Sequence, residues 1–360
     1  MVGQACEPES NTTVTTPLLS VKGLSIGFAG EESKKQVVED LELTIGRGEI
    51  VALVGESGSG KTMTALSLIR LLPHVFDIKE GSIKFDGKEV RDMTAPQLNE
   101  LRGGRIGMIF QQPQSMLDPS ATVGSQVAES LTLHRRLDKQ ATKARVIELL
   151  GEVGIPEPVE RSRNYAHQMS GGMAQRVMIA AALSADPHLL IADEPTTALD
   201  VTVQTQILKL LERERREREL AILLITHDLT VVSSLADRVV VMYAGRIVEE
   251  GPTRNILSKP RQPYTQALLR CSLLETDDEQ ALYTIPSGEN PGIETTSGCT
   301  FLPRCITAAD IGISEQCKRQ EPPLHTYSEH CRARCWAVPP SEYSMGGYDY
   351  SHQAGEETST

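Results

Sequence analysis

Two stretches of this 360-residue chain carry residue types and spacing suited to handling phosphate. In Gly55-Glu56-Ser57-Gly58-Ser59-Gly60-Lys61-Thr62 the glycines let the backbone curl so that successive N–H groups point at phosphate oxygens. The apolar run Ile50 to Val54 leads into it and a helical stretch through Arg70 follows, so a helix N-terminus adds its partial positive charge. Strand, loop and helix in that order are the setting a P-loop requires. Lys61 is then expected on the β- and γ-phosphates of ATP, and the Thr62 hydroxyl on Mg²⁺. The second stretch, Leu189 to Glu194, is an apolar strand ending in two carboxylates. In P-loop enzymes the acid that ends such a strand holds Mg²⁺, here Asp193, and Glu194 is placed to accept a proton from the attacking water. Adjacent surface acids are common; the pair gains its meaning from the P-loop.

The elements that must position these residues read as α/β. Short β-branched runs (Val37 to Ile45, Ile50 to Gly55, Ile106 to Phe110, Leu189 to Asp193, Ala221 to Thr226, Val239 to Tyr243) alternate with helical patterns, as in a sheet of buried strands. Residues 113–185 break that alternation with helix-like patterns at Val123 to His134, Lys139 to Gly151 and Gly172 to Ser184, which predicts a helical subdomain inserted into the core. The polar residues 1–17 and 339–360 read as a disordered lead-in and tail. The core is expected over 18–258 and a small C-terminal domain over 259–338, where Pro, Gly and Cys rise. The charge run Glu212 to Glu219 is a solvated helix face with i,i+4 pairs.

Composition limits the partners. Charged residues at 23% and apolar ones at 39% fit a globular protein, and a net charge of −12 argues against nucleic acid. No apolar run approaches the roughly 18 residues a spanning helix needs, and the N-terminus lacks the basic and apolar regions of a secretory signal. The chain is therefore expected to stay in the cytosol, with any membrane connection made through other chains.

Between the two phosphate elements lies Ser170-Gly171-Gly172-Met173-Ala174-Gln175-Arg176, and with it the chain resembles the ABC ATPases, whose signature motif opens a helix with Ser and two Gly. Met173 stands where most of that family has Gln; the contacts come from Ser170 and the backbone, so the departure costs little. The remaining motifs follow in the family's order. Gln111 matches the glutamine that touches Mg²⁺ and water beside the membrane subunit, Ala198-Leu199-Asp200 the D-loop, and His227 the switch histidine at the γ-phosphate. Phe28 is a candidate platform for adenine, with a core phenylalanine as the competing reading. The resemblance implies ATP hydrolysis in a head-to-tail sandwich, in which the P-loop of one subunit and the Ser-Gly-Gly of a second ATPase subunit enclose each ATP.

Strings such as 192–204 (ADEPTTALDVTVQ) and 241–251 (VMYAGRIVEEG) narrow the resemblance to the oligopeptide and dipeptide importers, as does the linker Pro260 to Thr265, where Gln262 replaces a frequent His. That branch implies two membrane permeases, a homo- or heterodimeric ATPase pair and an external solute-binding protein. A nickel or other small-solute importer of the same branch is the alternative within transport, and a soluble ABC ATPase of DNA repair or translation the alternative outside it. Such proteins carry two cores or a long coiled-coil insertion, and this chain has neither. Five of the seven cysteines fall between 299 and 335, a clustering that points to metal rather than disulfides in a reducing compartment. Cys299, Cys305, Cys317 and Cys331 match the family pattern, which implies an iron–sulfur cluster, with Cys335 as a spare. The spacing alone leaves zinc and reduced structural thiols open.

Overall fold

The computed structural model describes residues 16–30, 36–196, 199–273, 282–286 and 298–341. The expected lead-in and tail lie almost wholly outside the described residues, as does Ala198 of the expected D-loop.

The chain opens with β1 (Leu19–Phe28) and β2 (Gln36–Ile45), then β3 (Ile50–Val54), β4 (Phe76–Phe85) and β5 (Lys88–Glu89). Strands β1, β2, β4 and β5 form an antiparallel sheet in the order β2-β1-β4-β5. Strand β3 instead enters a second sheet with β6 (Ile106–Ile109), β7 (Leu189–Asp193), β8 (Ala221–Ile225), β9 (Arg238–Tyr243), β10 (Arg246–Pro252), β11 (Leu324–Ser328) and β12 (Cys331–Arg334). Its order is β11-β12-β10-β9-β3-β8-β7-β6, with β9, β3, β8, β7 and β6 parallel. The parallel strands are apolar at nearly every position because both faces are covered. On one face Val51, Leu53, Ile191, Leu223 and Ile225 pack against the antiparallel sheet. On the other Ile50, Leu190, Ala192, Ile222 and Leu224 pack against helices that lie between β6 and β7.

Those helices include Val123–Ser130, Lys139–Glu152 and Gly171–Leu183. Each starts on a residue whose side-chain oxygen accepts a first-turn amide: Thr122 from Ser125, Asp138 from Ala141, Ser170 from Met173. The expected boundary near 258 does not divide the main sheet. Strand β12 pairs antiparallel with β10 through Glu249 opposite Ala333 and Glu250 opposite Arg332, so the C-terminal segment extends the same sheet. No helix among the described residues is long and apolar enough to cross a membrane.

Candidate active site

Three parallel strands deliver the chemistry to one end of the sheet. From β3 the chain passes through Gly55 to Gly60, which initiates the helix Lys61–Leu68. A Cβ at Gly55 would stand 2.2 Å from the Met242 carbonyl oxygen, and Gly60 has φ 101°, so larger residues would push the loop off β9. The helical ladder begins with Thr64 N–H on the Gly60 carbonyl, which leaves the amides of Lys61 and Thr62 without a partner inside the helix. Lys61 Nζ donates to the carbonyls of Gly55 and Glu56, both at 2.8 Å, and to Ser59 Oγ at 3.3 Å. Burial pulls its ammonium below the usual lysine range, an effect that the carboxylates of Glu194, Asp193 and Glu56 oppose.

Strand β7 ends on Asp193, whose Oδ2 accepts the Thr62 hydroxyl at 2.8 Å. Burial raises the Asp193 carboxyl, the neighbouring charge of Glu194 adds to the rise, and the Thr62 hydrogen bond opposes it. A hydroxyl and a carboxylate in contact are hard oxygen donors of the type Mg²⁺ takes, so this pair fits that ion in chemistry. Glu194 follows with φ 54°, a left-handed conformation rare for a residue with a side chain, held by its own N–H on the Ile225 carbonyl at 2.9 Å. Its Oε1 lies 2.8 Å from Nδ1 of His227, which stands just past the end of β8. The structure thus brings together Lys61, Thr62, Asp193, Glu194 and His227.

The other expected residues fall into three groups. Ser57 and Gly58 are exposed on the loop, whereas Ser59 is buried and accepts the Gly245 amide on its carbonyl. Glu56 differs from the expectation that the whole loop cradles phosphate. Its N–H donates to the Tyr264 hydroxyl at 2.8 Å, and its carboxylate takes both terminal nitrogens of Arg304, so its amide and carboxylate are already engaged and only its carbonyl bonds within the loop, to Lys61 and Ser59. Gln111 is exposed two residues beyond the end of β6, the strand that pairs with β7, and Phe28 packs tilted on Phe76 with ring centroids 4.8 Å apart. Ser170, Gly171 and Asp200 are exposed and Gly172 half-buried; among the described residues no hydrogen bond joins them to the loop at 55–62. Asp200 caps the helix Val201–Arg218 by accepting Val203 N–H. Gln175, one turn into the helix that Ser170 caps, reaches the Pro195 carbonyl at 2.9 Å and so ties that helix to the residue after Glu194.

The cysteines require a correction. Cys299, Cys305, Cys317 and Cys335 line one small pocket beneath Phe301 and Trp336, whereas Cys331 lies apart. Cys331 sits on β12 against Gly251 of β10 and accepts from Asn255 Nδ2 at 3.5 Å. Strand β12 stops at Arg334, and the turn that follows takes Cys335 to the other three. Burial pushes the Cys299 thiol up to about 12 and Cys335 to about 11, and the neighbouring thiols add to both. Among the described residues no three His, Cys, Asp or Glu side chains converge closely enough to hold a metal ion. Tyr264 and Arg304, which reach the nucleotide loop from more than 200 residues away, were not among the expected site residues; no local sequence signal marks a pairing across that distance.

Comparison with known proteins accords with this geometry. Residues 38–197 match the ABC transporter family, and residues 248–311 match the oligopeptide/dipeptide transporter C-terminal region. The dipeptide transport ATP-binding protein of Escherichia coli K12 is 40% identical over 319 residues, covering 88% of this chain and 96% of that protein. Its namesake in Haemophilus influenzae is 43% identical over 309 residues, covering 86% and 92%. An ATP-binding cassette solved as a post-hydrolysis dimer with ADP and Pi superposes with a TM-score of 0.60 at 28% identity, over 66% of this chain and 99% of that one. A cassette of Clostridium perfringens, part of the ABC transporter complex cbiONQ, gives 0.57 at 30% identity over 68% and 91%. The chain therefore belongs to the ABC transporter family, in the branch of the oligopeptide/dipeptide ATP-binding subunits, and it is an ATPase.

Proposed function

We propose that this chain powers the import of di- and oligopeptides across the cytoplasmic membrane, from its inner face, as a peripheral subunit. The observation that carries the reading is one chain that unites the constellation of Lys61, Thr62, Asp193, Glu194 and His227 with the oligopeptide/dipeptide C-terminal region. Its partners are two membrane permeases, a second ATPase subunit and an external solute-binding protein. Helices over 113–185 form the helical subdomain that meets the permeases near Gln111, and 259–338 forms the Cys-rich extension on the 18–258 core.

The roles follow from the contacts. Backbone amides of the loop and of the first helical turn, with Lys61, bind and orient the ATP phosphates. Thr62 and Asp193 hold Mg²⁺, with Gln111 completing the site, and the ion when bound neutralises charge that develops on the phosphates. Glu194 accepts the proton of the attacking water, and His227 holds that carboxylate in place and reaches the γ-phosphate. Ser170, Gly171 and Gly172, with Asp200, face the ATP of the partner ATPase subunit, in keeping with the lack, among the described residues, of any hydrogen bond from them to this chain's own loop. Phe28 supports adenine. An iron–sulfur cluster would draw its ligands from Cys299, Cys305, Cys317 and Cys335, four thiols that share one pocket in a segment with little core of its own and that must close further around it to bind.

The test is solute-dependent hydrolysis by the assembled complex. Binding protein loaded with peptide is expected to stimulate ATP turnover, and nickel is not. Stimulation by nickel with none by peptide would move the chain to another solute.

A further inference from the structure

The nucleotide loop is gripped from outside the core. Glu56, its second residue, is the point of attachment. The Glu56 N–H donates to the Tyr264 hydroxyl at 2.8 Å, and its carboxylate oxygens accept from Arg304 Nη1 at 2.8 Å and Nη2 at 3.0 Å. Two parallel charge-assisted bonds on a planar guanidinium fix direction as well as distance. Arg304 is itself immobilised: its Nε donates to the Pro286 carbonyl at 3.0 Å, its guanidinium lies 5.8 Å from the Tyr243 ring centroid, and only 11% of its side chain is exposed. The rings of Tyr243, Tyr264 and Phe301 pack with centroids 4.6 to 5.4 Å apart, beneath the same contact. Arg304 closes the short turn Leu302–Arg304 and directly precedes Cys305, whose thiol lines the four-cysteine pocket with Cys299.

A glycine-rich loop has few side chains with which to fix its own path. Here the residue that could fix it uses its amide and carboxylate on Tyr264 and Arg304, and Lys61 Nζ bonds the carbonyl of that same residue. We propose that Arg304, assisted by Tyr264, is a positioning residue of the ATP site: it acts through Glu56 to hold the nucleotide loop, so the C-terminal segment is a working part of the site. The inference rests on the reading of residues 55–62 as the phosphate loop. Loss of the clamp loosens binding of ATP before and during reaction alike, so the signature is a raised KM with little change in kcat.

The experiment measures KM for ATP and kcat of the assembled ATPase for Arg304→Ala, Glu56→Gln and the double variant, with the exposed Lys318→Ala as control. Each single change is expected to raise KM roughly tenfold, the worth of a lost charge-assisted bond. The double variant should be no worse than either single, because both cut one contact. Tyr264→Phe, which removes only the hydroxyl, should raise KM by a smaller factor, and it keeps the test open if Arg304→Ala does not fold. KM values within twofold of the parent in the folded variants, or single effects that multiply in the double, would overturn the clamp. Lys61→Ala separates the two claims: normal ATP binding by that variant would sink the loop reading itself, whereas lost binding there with unchanged KM in Arg304→Ala would sink only the clamp.

Discussion

The nucleotide end of the sheet and its Cys-rich edge are built on different principles. At the nucleotide end, backbone geometry does the positioning: Lys61, Asp193, Glu194 and His227 each stand within a few residues of a parallel strand's end, and glycines at 55 and 60 permit the turn. At the edge, residues 298–341 hold only short helices and two strands, and side chains do the work through thiols, the Arg304–Glu56 pair and the edge-on contact of Phe301 with Tyr243. Catalytic order follows from secondary structure in the first region and from tertiary contact in the second. Substitutions at the nucleotide end should therefore strike ATP binding or turnover with the fold intact, whereas substitutions at the edge should strike stability, except at Arg304, whose bond to Glu56 carries its effect into ATP binding.

The largest expected effect is on turnover by Glu194→Gln, which keeps shape and hydrogen bonding but removes the base. A fall in kcat of about 10²- to 10⁴-fold with ATP still bound is expected from steady-state hydrolysis and nucleotide titration. Next comes Lys61→Ala, which should weaken ATP binding itself by roughly ten- to a hundredfold, read by fluorescence titration with a nucleotide analogue. Single Cys→Ser changes at 299, 305, 317 and 335 should bleach the brown colour expected of anaerobically purified protein and lower Tm by several degrees, about 1–3 kcal/mol of stability. Cys331→Ser should leave the colour, because Cys331 lies outside the pocket. Colourless protein with stoichiometric zinc would replace iron there, and protein with neither metal would leave reduced thiols. The smallest effect on hydrolysis is expected at Met116, 55% exposed on the helix after Gln111. Met116→Asp should leave basal hydrolysis within about twofold, as surface changes do, while peptide uptake falls.

Which parts were legible in the sequence follows from the same contrast. Buried parallel strands announce themselves as unbroken apolar runs, so β3, β7, β8 and most of β9 stand where the composition puts them. Strand β4, with Asp77, Lys79, Glu80 and Lys84 interrupting its apolar residues, belongs to a half-covered antiparallel sheet and gives no such run. The loop at 55–62 was readable because its chemistry is local. Its attachment to Arg304 was not, since 248 residues separate the partners. The choice between Cys331 and Cys335 turned on where β12 stops: Cys331 opens the strand, Cys335 follows its last residue, and pairing with β10 fixes the strand between them.

The most direct test of the account is accumulation of a labelled dipeptide in vesicles that contain the assembled transporter, with ATP and loaded binding protein on their proper sides. The parent complex is predicted to accumulate peptide only while ATP is hydrolysed, and the Glu194→Gln complex to hold ATP yet accumulate none. Peptide uptake by the Glu194→Gln complex at the parent rate would contradict the claim that hydrolysis at this site drives import.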